Sequence, residues 1–279
     1  MWWALAQIHA RGLLYEGHKV VPYCPRCGTA LSSHEVALGY RDVIDPSVYV
    51  RFGVRDVAGS PLSSGDALAV WTTTPWTLVS NAAVAVNPDL NYVRARAEGA
   101  DEVLVVAEAL VERVLGEGAQ VLERFTGREL QGVAYEAPFA FIPASEYGAR
   151  GHTVLPADFV TAQDGTGLVH TAIAFGEDDF ELGRRFDLAV VNPVRADGTY
   201  DERSGPHAGR FVKDADRDLV EDLRARGKLL RATDHEHAYP HCWRCSTPLL
   251  YYAKPSWYIA TSQVRDRLLA ANETVTWHP

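Results

Sequence analysis

The chain has 279 residues, 47% of them hydrophobic and 23% charged, which are the proportions of a soluble protein with one large or two modest domains. No apolar run approaches the length of a membrane span, and the start at Met1 lacks the basic region of a signal peptide, so we expect a cytoplasmic protein without a membrane partner. A formal net charge of -9 excludes a broad basic surface for nucleic acid. Any RNA partner must therefore bind local patches, or a larger protein of which this chain is a piece.

The first part of the chain has a helical pattern followed by extended segments. Apolar residues recur at helical spacing over residues 1–14, which predicts a helix, and its apolar, uncapped start is what a cut from a longer chain would give. Residues 19–23 predict a short strand. Residues 33–36 and 47–52 predict the strands that lead into the main body.

All four cysteines lie in two C-x-x-C pairs with similar surroundings. Cys24-Pro-Arg-Cys27 is matched by Cys242-Trp-Arg-Cys245. Four thiolates complete the tetrahedral coordination of Zn²⁺ and leave no position for water or substrate. We therefore predict a structural zinc ion that closes the base of a large insertion.

Other roles of the cysteines stay open at the level of sequence. A redox C-x-x-C motif competes with zinc, but it normally occurs once and opens a helix after a strand. Two structural disulfides are unusual in a cytosolic chain. His34 and His241 are the alternative metal ligands.

Residues 71–81 are the first stretch that predicts a ligand site. Four threonines, a serine and an asparagine lie here behind the apolar run of residues 67–70, which predicts a buried strand. Pro75 cannot donate to a sheet, and it pushes the preceding residue toward extended geometry, so the strand should end near Thr74. The stretch is either a pocket lined by hydroxyl groups or a threonine-rich edge strand that ends in a turn.

The next segments predict a mainly β domain. Residues 92–97 and 102–106 read as paired strands, 108–115 as a helix stopped by Gly116, and 127–140 as another strand pair. Short strands at this spacing favour a barrel-like domain, and no glycine-rich nucleotide-binding turn occurs.

Residues 164–179 form the second stretch that predicts a site. A glycine turn leads into a strand that ends near His170, and a helix from about residue 178 to 186 begins with the acids Asp178 and Asp179. Acids in a first helical turn are ordinary capping residues, and a histidine at a strand end is often structural. Residues 211–225 and 262–272 predict two further helices, and residues 237–252 return through the second cysteine pair.

Both stretches resemble the editing domain (connective polypeptide 1, CP1) of isoleucyl-tRNA synthetases. The string Trp-Thr-Thr-Thr-Pro-Trp-Thr-Leu of residues 71–78, followed by Asn81, is similar to the threonine-rich segment of that family. The valine and leucine enzymes carry different residues there. Residues 165–179 resemble the pattern Gly-Thr-Gly-x-Val-His-x-Ala-Pro-x-x-Gly-x-x-Asp, with Ile173 where proline is usual.

The resemblance covers essentially the whole chain and implies an α+β, mainly β fold. In that arrangement a barrel-like editing domain, residues 45–236, is inserted between two halves of a zinc-knuckle stalk, residues 1–44 and 237–279. The His-Ile-Gly-His and Lys-Met-Ser-Lys-Ser type motifs that surround ATP in class I synthetases do not occur. We therefore expect no aminoacylation from this chain alone.

The resemblance also implies roles for individual residues. Asp179 corresponds to the carboxylate that holds the substrate's α-ammonium group, and His170 to the histidine beside the substrate side chain and ester. The catalytic set is then Thr77, His170 and Asp179. The substrate-binding set is Thr72, Thr73, Thr74, Trp76, Asn81 and Asp179.

The implied activity is hydrolysis of the ester between valine and tRNA(Ile). The implied partners are the acceptor end of tRNA(Ile) carrying valine, valine or valyl-adenylate analogues, and the rest of the synthetase. Two alternatives remain at this stage: a catalytically silent, zinc-stapled module that positions tRNA, and a zinc-dependent hydrolase. No Ser-His-Asp or Cys-His arrangement has a recognisable spacing, which favours attack by a positioned water.

Overall fold

A computed structural model describes residues 1–57 and 59–278 of the chain. The chain divides into two compact units, residues 20–252 and residues 1–19 with 253–279. The segments predicted from the sequence, 1–44, 45–236 and 237–279, stay a prediction, and the last of them extends one residue beyond the described part. Among the described residues no helix has both the length and the apolar character that crossing a bilayer requires.

Strands dominate the architecture. They are β1 Leu14–Cys24, β2 Thr29–Ala30, β3 Tyr40–Asp56, β4 Ala67–Thr72, β5 Ala83–Val86, β6 Asn91–Arg96, β7 Leu104–Ala107, β8 Gln120–Thr126, β9 Ala134–Tyr135, β10 Thr153–Pro156, β11 Leu168–Thr171, β12 Leu229–Pro240 and β13 Leu250–Ile259. A small sheet has the order β13-β1-β2, and the large sheet has the order β12-β3-β9-β10-β5-β11-β4-β7-β6-β8.

The helices are short and lie between the strands. The α-helices are α1 Trp2–Ala10, α2 Ser33–Ala37, α3 Val111–Leu115, α4 Glu177–Arg185, α5 Asp216–Ala225 and α6 Arg265–Glu273. Short 3-10 helices occupy Pro75–Ser80, Glu108–Leu110, Gly127–Leu130, Ala144–Tyr147, Glu202–His207 and Thr261–Val264. The helices predicted near the N-terminus, after residue 108, after residue 178, within 211–225 and near residue 262 are confirmed.

Part of the large sheet closes into a ring. Strand β3 pairs with β9 and also with β4, so β3, β9, β10, β5, β11 and β4 form a closed circuit. Pairing within it is mixed, because β4 and β11 run parallel whereas β3 and β4 run antiparallel. Strands β12 and β7-β6-β8 lie outside the circuit. The predicted α+β, mainly β fold is confirmed, and the barrel-like domain is a partly closed ring rather than a strict barrel.

Two local predictions are wrong. Residues 33–36 form helix α2 instead of a strand, because Ser32 and Glu35 make a capping box: the Ser32 hydroxyl accepts the Glu35 N–H, and the Glu35 carboxylate accepts the Ser32 N–H. The strand pair predicted over residues 127–140 is reduced to β9, because a second capping box, between Thr126 and Glu129, begins a 3-10 helix there.

The core fixes the elements that carry the site. Strand β5 lies between β10 and β11 and is buried along its whole length, as expected for a central strand with an uninterrupted apolar sequence. One apolar cluster packs α4 against this part of the sheet; among its members are Ala83, Ala85, Leu155, Ile173 and Leu182. The position of α4 therefore follows from the packing of the ring.

The smaller unit contains α1 and α6, and contacts between its N-terminal and C-terminal segments hold it together. The Ala260 N–H donates to the Leu13 carbonyl at 2.8 Å. The rings of Tyr15 and Tyr258 lie 5.8 Å apart. Several of its aromatic side chains are exposed, including Trp2 and Trp257.

Candidate functional site

The threonine segment begins where strand β4 ends. Strand β4 stops at Thr72, and Pro75 occupies the first position of the following 3-10 helix, where a missing N–H costs nothing. The Oγ1 atoms of Thr72 and Thr74 lie 3.2 Å apart, and so do those of Thr74 and Thr77. The predicted end of the strand is confirmed, and three of the four threonine hydroxyls form one hydrogen-bonded line. Thr73, half-buried, lies between Thr72 and Thr74.

His170 lies beside this line because of the sheet order. Its strand, β11, runs between β4 and β5, which brings a residue distant in sequence next to the threonine segment. The His170 Nε2 is 3.0 Å from the Thr77 Oγ1, and its Nδ1 is 2.8 Å from the Asn81 Nδ2. Burial lowers the pKa of His170 to about 3, so the ring is neutral at neutral pH.

Trp76 is held from both sides through its backbone. Its N–H donates to the Asp216 Oδ1 at 2.8 Å, and its carbonyl accepts the Tyr200 hydroxyl at 2.5 Å. Its ring packs edge-on against Phe175 with centroids 4.8 Å apart. The indole Nε1 is buried without a hydrogen-bond partner in the described part of the chain. Trp76 is therefore rigidly held, and its indole N–H is a buried donor without a partner among the described residues.

Asp179 lies in the first turn of α4 but does not cap that helix. Its Oδ2 accepts the N–H of Ala172, two residues after His170, at 3.0 Å. Gly176 permits this approach, since a Cβ there would lie 2.7 Å from the same oxygen. Although the residue keeps some exposure, burial of the carboxyl group raises its pKa to about 7. An adjacent cation would stabilise the ionised form of this carboxyl group.

Ile173 holds α4 against the sheet. It is 2% exposed and belongs to the apolar cluster around α4. A Cβ on Gly183 of α4 would lie only 2.6 Å from the Ile173 Cδ1, so the helix and this side chain are in close contact. An isoleucine at this position therefore supports the segment between His170 and Asp179.

The structure thus connects most of the predicted site residues. A continuous chain of hydrogen bonds runs through Thr72, Thr74, Thr77, His170 and Asn81. Trp76 lies in the same 3-10 helix as Thr77. The Asp179 carboxylate accepts the N–H of Ala172, two residues beyond His170. Sequence reasoning missed the buried residues that hold this group: Tyr135, Tyr200 and Asp216. Each is an isolated residue far along the chain: Tyr135 reaches the site through closure of the ring, whereas Tyr200 lies in a connecting segment and Asp216 at the start of α5.

The four cysteines form a separate cluster. The Sγ atoms of Cys24 and Cys245 are 3.5 Å apart, those of Cys27 and Cys245 3.5 Å, and those of Cys27 and Cys242 4.0 Å. All four cysteines are free, and their sulfurs lie within 4.8 Å of one another. Zn–S bonds of about 2.3 Å give a tetrahedron with edges of about 3.8 Å, so the donor set fits Zn²⁺.

The structure bears on the alternative roles of these residues. The free thiols disagree with two structural disulfides. Among the described residues, the group of candidate metal ligands contains the four cysteines and neither His34 nor His241. His241 instead turns its Nδ1 to the Tyr239 carbonyl at 3.0 Å.

The fold is of the CP1 kind. The structure described as "The crystal structure of GlLeuRS-CP1" is similar with a TM-score of 0.51, and the match covers 67% of this chain and 98% of that chain. The two sequences are 15% identical, so this likeness concerns the fold alone.

The chain belongs to the class I tRNA synthetases of the isoleucine, leucine, methionine and valine group. Residues 1–279 match the family described as "tRNA synthetases class I (I, L, M and V)". The chain is similar to the isoleucine–tRNA ligase of Streptomyces coelicolor, 52% identical over 280 residues, and to that of Thermus thermophilus, 46% identical over 279 residues. Each match covers 100% of this chain but 26% of the relative, so the chain spans about a quarter of their length. The predicted resemblance to isoleucyl-tRNA synthetases is confirmed.

Proposed function

We propose that this chain carries the editing site of an isoleucyl-tRNA synthetase and hydrolyses the ester that joins valine to the terminal adenosine of tRNA(Ile). The observation that carries the proposal is the hydrogen-bonded line of threonines ending at His170, with the Asp179 carboxylate bound to the chain two residues further on. The cytoplasmic location predicted from the sequence belongs to this proposal.

The need for a second site follows from the limits of steric selection. One missing methylene in an apolar pocket is worth only about 1–3 kcal/mol, or about 10- to 200-fold, and isoleucine against valine is a standard example. A separate pocket that excludes isoleucine can remove the valine ester. The rigidly held ring of Trp76, together with His170, is suited to form the wall that sets this size limit.

Asp179 is suited to hold the α-ammonium group of the substrate. A buried carboxyl group with a raised pKa gains strongly from an adjacent cation, because the ion pair replaces the solvation that burial removed. This interaction fixes the amino acid end of the ester. The threonine hydroxyls remain to orient the adenosine end and the carbonyl oxygen.

The chemical step in this proposal uses a positioned water. The water oxygen attacks the ester carbonyl carbon, and the bond from that carbon to the ribose oxygen breaks. One proton of the water goes to the ribose oxygen, and the other is released to solvent as the valine carboxylate forms. His170 is a poor general base for this step, since it is buried with a pKa of about 3 and both ring nitrogens have partners. We assign it the role of holding Thr77, whose hydroxyl orients the water with help from the neighbouring ribose hydroxyl.

We further propose that Cys24, Cys27, Cys242 and Cys245 bind one structural Zn²⁺. When bound, the ion cross-links two distant parts of the chain and leaves no coordination site for water. It therefore supplies stability and takes no part in ester hydrolysis.

The test is the hydrolysis of valyl-tRNA(Ile) and isoleucyl-tRNA(Ile) by this chain and by Asp179→Ala. We expect selective loss of the valyl ester, abolished in Asp179→Ala. Asp178→Ala is the matched control, because Asp178 is the exposed neighbouring acid of the same helical turn. Equal cleavage of both esters, or full activity in Asp179→Ala, contradicts the proposal. If the folded, zinc-loaded chain is inactive, the silent tRNA-positioning module becomes the better explanation.

A further inference from the structure

Tyr135 is a buried residue with one specific contact to the site. It lies in the short strand β9, is 1% exposed, and its hydroxyl is 2.7 Å from the Oδ1 of Asn81. We propose that Tyr135 is a positioning residue that, through Asn81, fixes which nitrogen of His170 carries the proton. The proposed function assigns it no role.

The contacts of Asn81 determine the orientation of its amide group. The Oδ1 faces the Tyr135 hydroxyl, and the Nδ2 faces the Ala83 carbonyl at 3.0 Å and the His170 Nδ1 at 2.8 Å. The reverse orientation would place two acceptors, the amide oxygen and the Ala83 carbonyl, against each other. Because Asn81 is 2% exposed, no bulk water relieves such a conflict. The Tyr135 hydroxyl donates to the Asn81 Oδ1, and with the Ala83 carbonyl it therefore fixes one orientation of the amide group.

The proton position of His170 follows from this orientation. A neutral imidazole has one donor and one acceptor nitrogen. Since the Asn81 amide donates to Nδ1, the proton of His170 lies on Nε2, which then donates to the Thr77 Oγ1 at 3.0 Å. The Thr77 hydroxyl in turn donates to the Thr74 carbonyl at 2.8 Å.

The consequence at the site is that Thr77 becomes a hydrogen-bond acceptor. Its only proton points to the Thr74 carbonyl, one lone pair accepts from His170, and the other accepts from the Thr74 hydroxyl at 3.2 Å, whose place a water or a ribose hydroxyl can take. In the other tautomer the Thr77 hydroxyl would turn to donate to Nε2. Tyr135, together with the Ala83 carbonyl, therefore sets the direction of the hydrogen bond between His170 and Thr77.

The chain provides a matched control for Tyr135 in Tyr147. Both tyrosines are buried, and both rings pack near His152, with centroids 5.9 Å and 5.6 Å away. The Tyr147 hydroxyl, however, has no hydrogen-bond partner in the described part of the chain. Tyr135→Phe and Tyr147→Phe thus remove the same atom from similar surroundings, and only the first variant removes a hydrogen bond that orients the Asn81 amide.

The test reads the proton of His170 directly by ¹⁵N NMR of the histidine side chains. We expect Nε2–H in the unmodified chain and in Tyr147→Phe, and in Tyr135→Phe a shift of the Nδ1 resonance toward that of a protonated nitrogen. An Nδ1–H form in the unmodified chain overturns the inference even if Tyr135→Phe fails to fold. An unchanged His170 spectrum in Tyr135→Phe overturns it as well.

Hydrolysis of valyl-tRNA(Ile) gives a second readout, which rests on the proposed function. We expect kcat to fall about tenfold in Tyr135→Phe with little change in KM, the effect of one misdirected hydrogen bond, and to stay unchanged in Tyr147→Phe. If the unmodified chain does not hydrolyse the ester, the proposed function fails, but the NMR result still decides the role of Tyr135.

Discussion

At the scale of single residues, Asp179 predicts a pH dependence for the binding of an α-ammonium group. Its carboxyl group has a pKa of about 7 because it is buried, and only the ionised form pairs with ammonium. Below pH 7 binding must first release the proton, so the affinity should rise with pH, by up to about tenfold per unit, and level off near pH 7. Calorimetric titration with a non-hydrolysable amide analogue of valyl-adenosine between pH 5 and 8 measures this.

Asp179→Asn provides the control for that titration. The amide cannot ionise, so the variant should bind the analogue weakly and without a pH-dependent step. Asp178→Asn should keep the step. An affinity of the unmodified chain that does not change between pH 5 and 7 would show that Asp179 does not hold the ammonium group.

Thr77 links the threonine line to His170 and predicts a measurable loss of stability. Thr77→Val keeps the shape but removes the hydroxyl, which leaves the buried His170 Nε2 without its partner at 3.0 Å. We expect the free energy of unfolding to fall by about 1–3 kcal/mol and ester hydrolysis to be lost. Thr77→Ser, which keeps the hydroxyl, should show a smaller loss of stability and a smaller loss of ester hydrolysis. Urea denaturation is the measurement, with Thr73→Val as a stability control that should change by less than about 0.5 kcal/mol. Equal stability losses in the valine and serine variants would contradict the assignment.

At the scale of elements, the glycine turn before β11 sets where His170 lies. Gly167 has φ +77°, and a Cβ there would lie 2.4 Å from the Cβ of Ala107. The Ala107 N–H donates to the Thr166 carbonyl at 2.9 Å, so the turn is bound closely to the end of β7. Neither the backbone nor its neighbour leaves room for a side chain.

Gly167→Ala should therefore be strongly destabilising. The positive φ alone costs about 1–2 kcal/mol, and overpacking against Ala107 adds about 1–3 kcal/mol. Gly99→Ala isolates the backbone cost, since Gly99 has φ +73° with nothing within 4 Å of an added Cβ. Thermal and urea denaturation should show a larger loss for Gly167→Ala by at least about 1 kcal/mol. Equal losses would mean that the contact with Ala107 relaxes freely.

The elements also show how far sequence reasoning reaches. Local signals predicted the end of β4 near Thr74, the strand that carries His170 and the helix that carries Asp179, because proline geometry and apolar periodicity act within a few residues. The strand predicted at residues 33–36 is wrong because the capping box of Ser32 and Glu35 outweighed the extended pattern. Tyr135 had no signal, since its strand has two residues and its contact to Asn81 depends on closure of the ring.

At the scale of the whole molecule, ring closure assembles the site from separate segments. Strand β3 is 17 residues long and pairs with β12, β9 and β4, which no local pattern specifies. Its pairing with β4 and β9 brings the threonine segment and Tyr135 into the same closed circuit. The candidate site residues were predictable from motifs in the sequence, whereas the residues that hold them in place required the topology.

The larger unit has a second long-range connection in the cysteine cluster, and metal removal should show whether it is structural. Cys24 and Cys27 lie near the start of this unit's sequence and Cys242 and Cys245 near its end, yet their sulfurs are close together. A bound ion would therefore close a long loop and strongly reduce the conformational freedom of the unfolded chain. We expect one Zn²⁺ per purified chain by elemental analysis. Chelation, or Cys242→Ser, should lower Tm markedly, while hydrolysis by the fraction that remains folded should be unchanged.

Loss of hydrolysis from a chain that keeps its circular dichroism spectrum and Tm after chelation would instead favour a zinc-dependent hydrolase. The arrangement of the four sulfurs favours a purely structural ion, whose removal lowers Tm without changing hydrolysis. Four sulfurs at tetrahedral spacing leave the ion no open position for water.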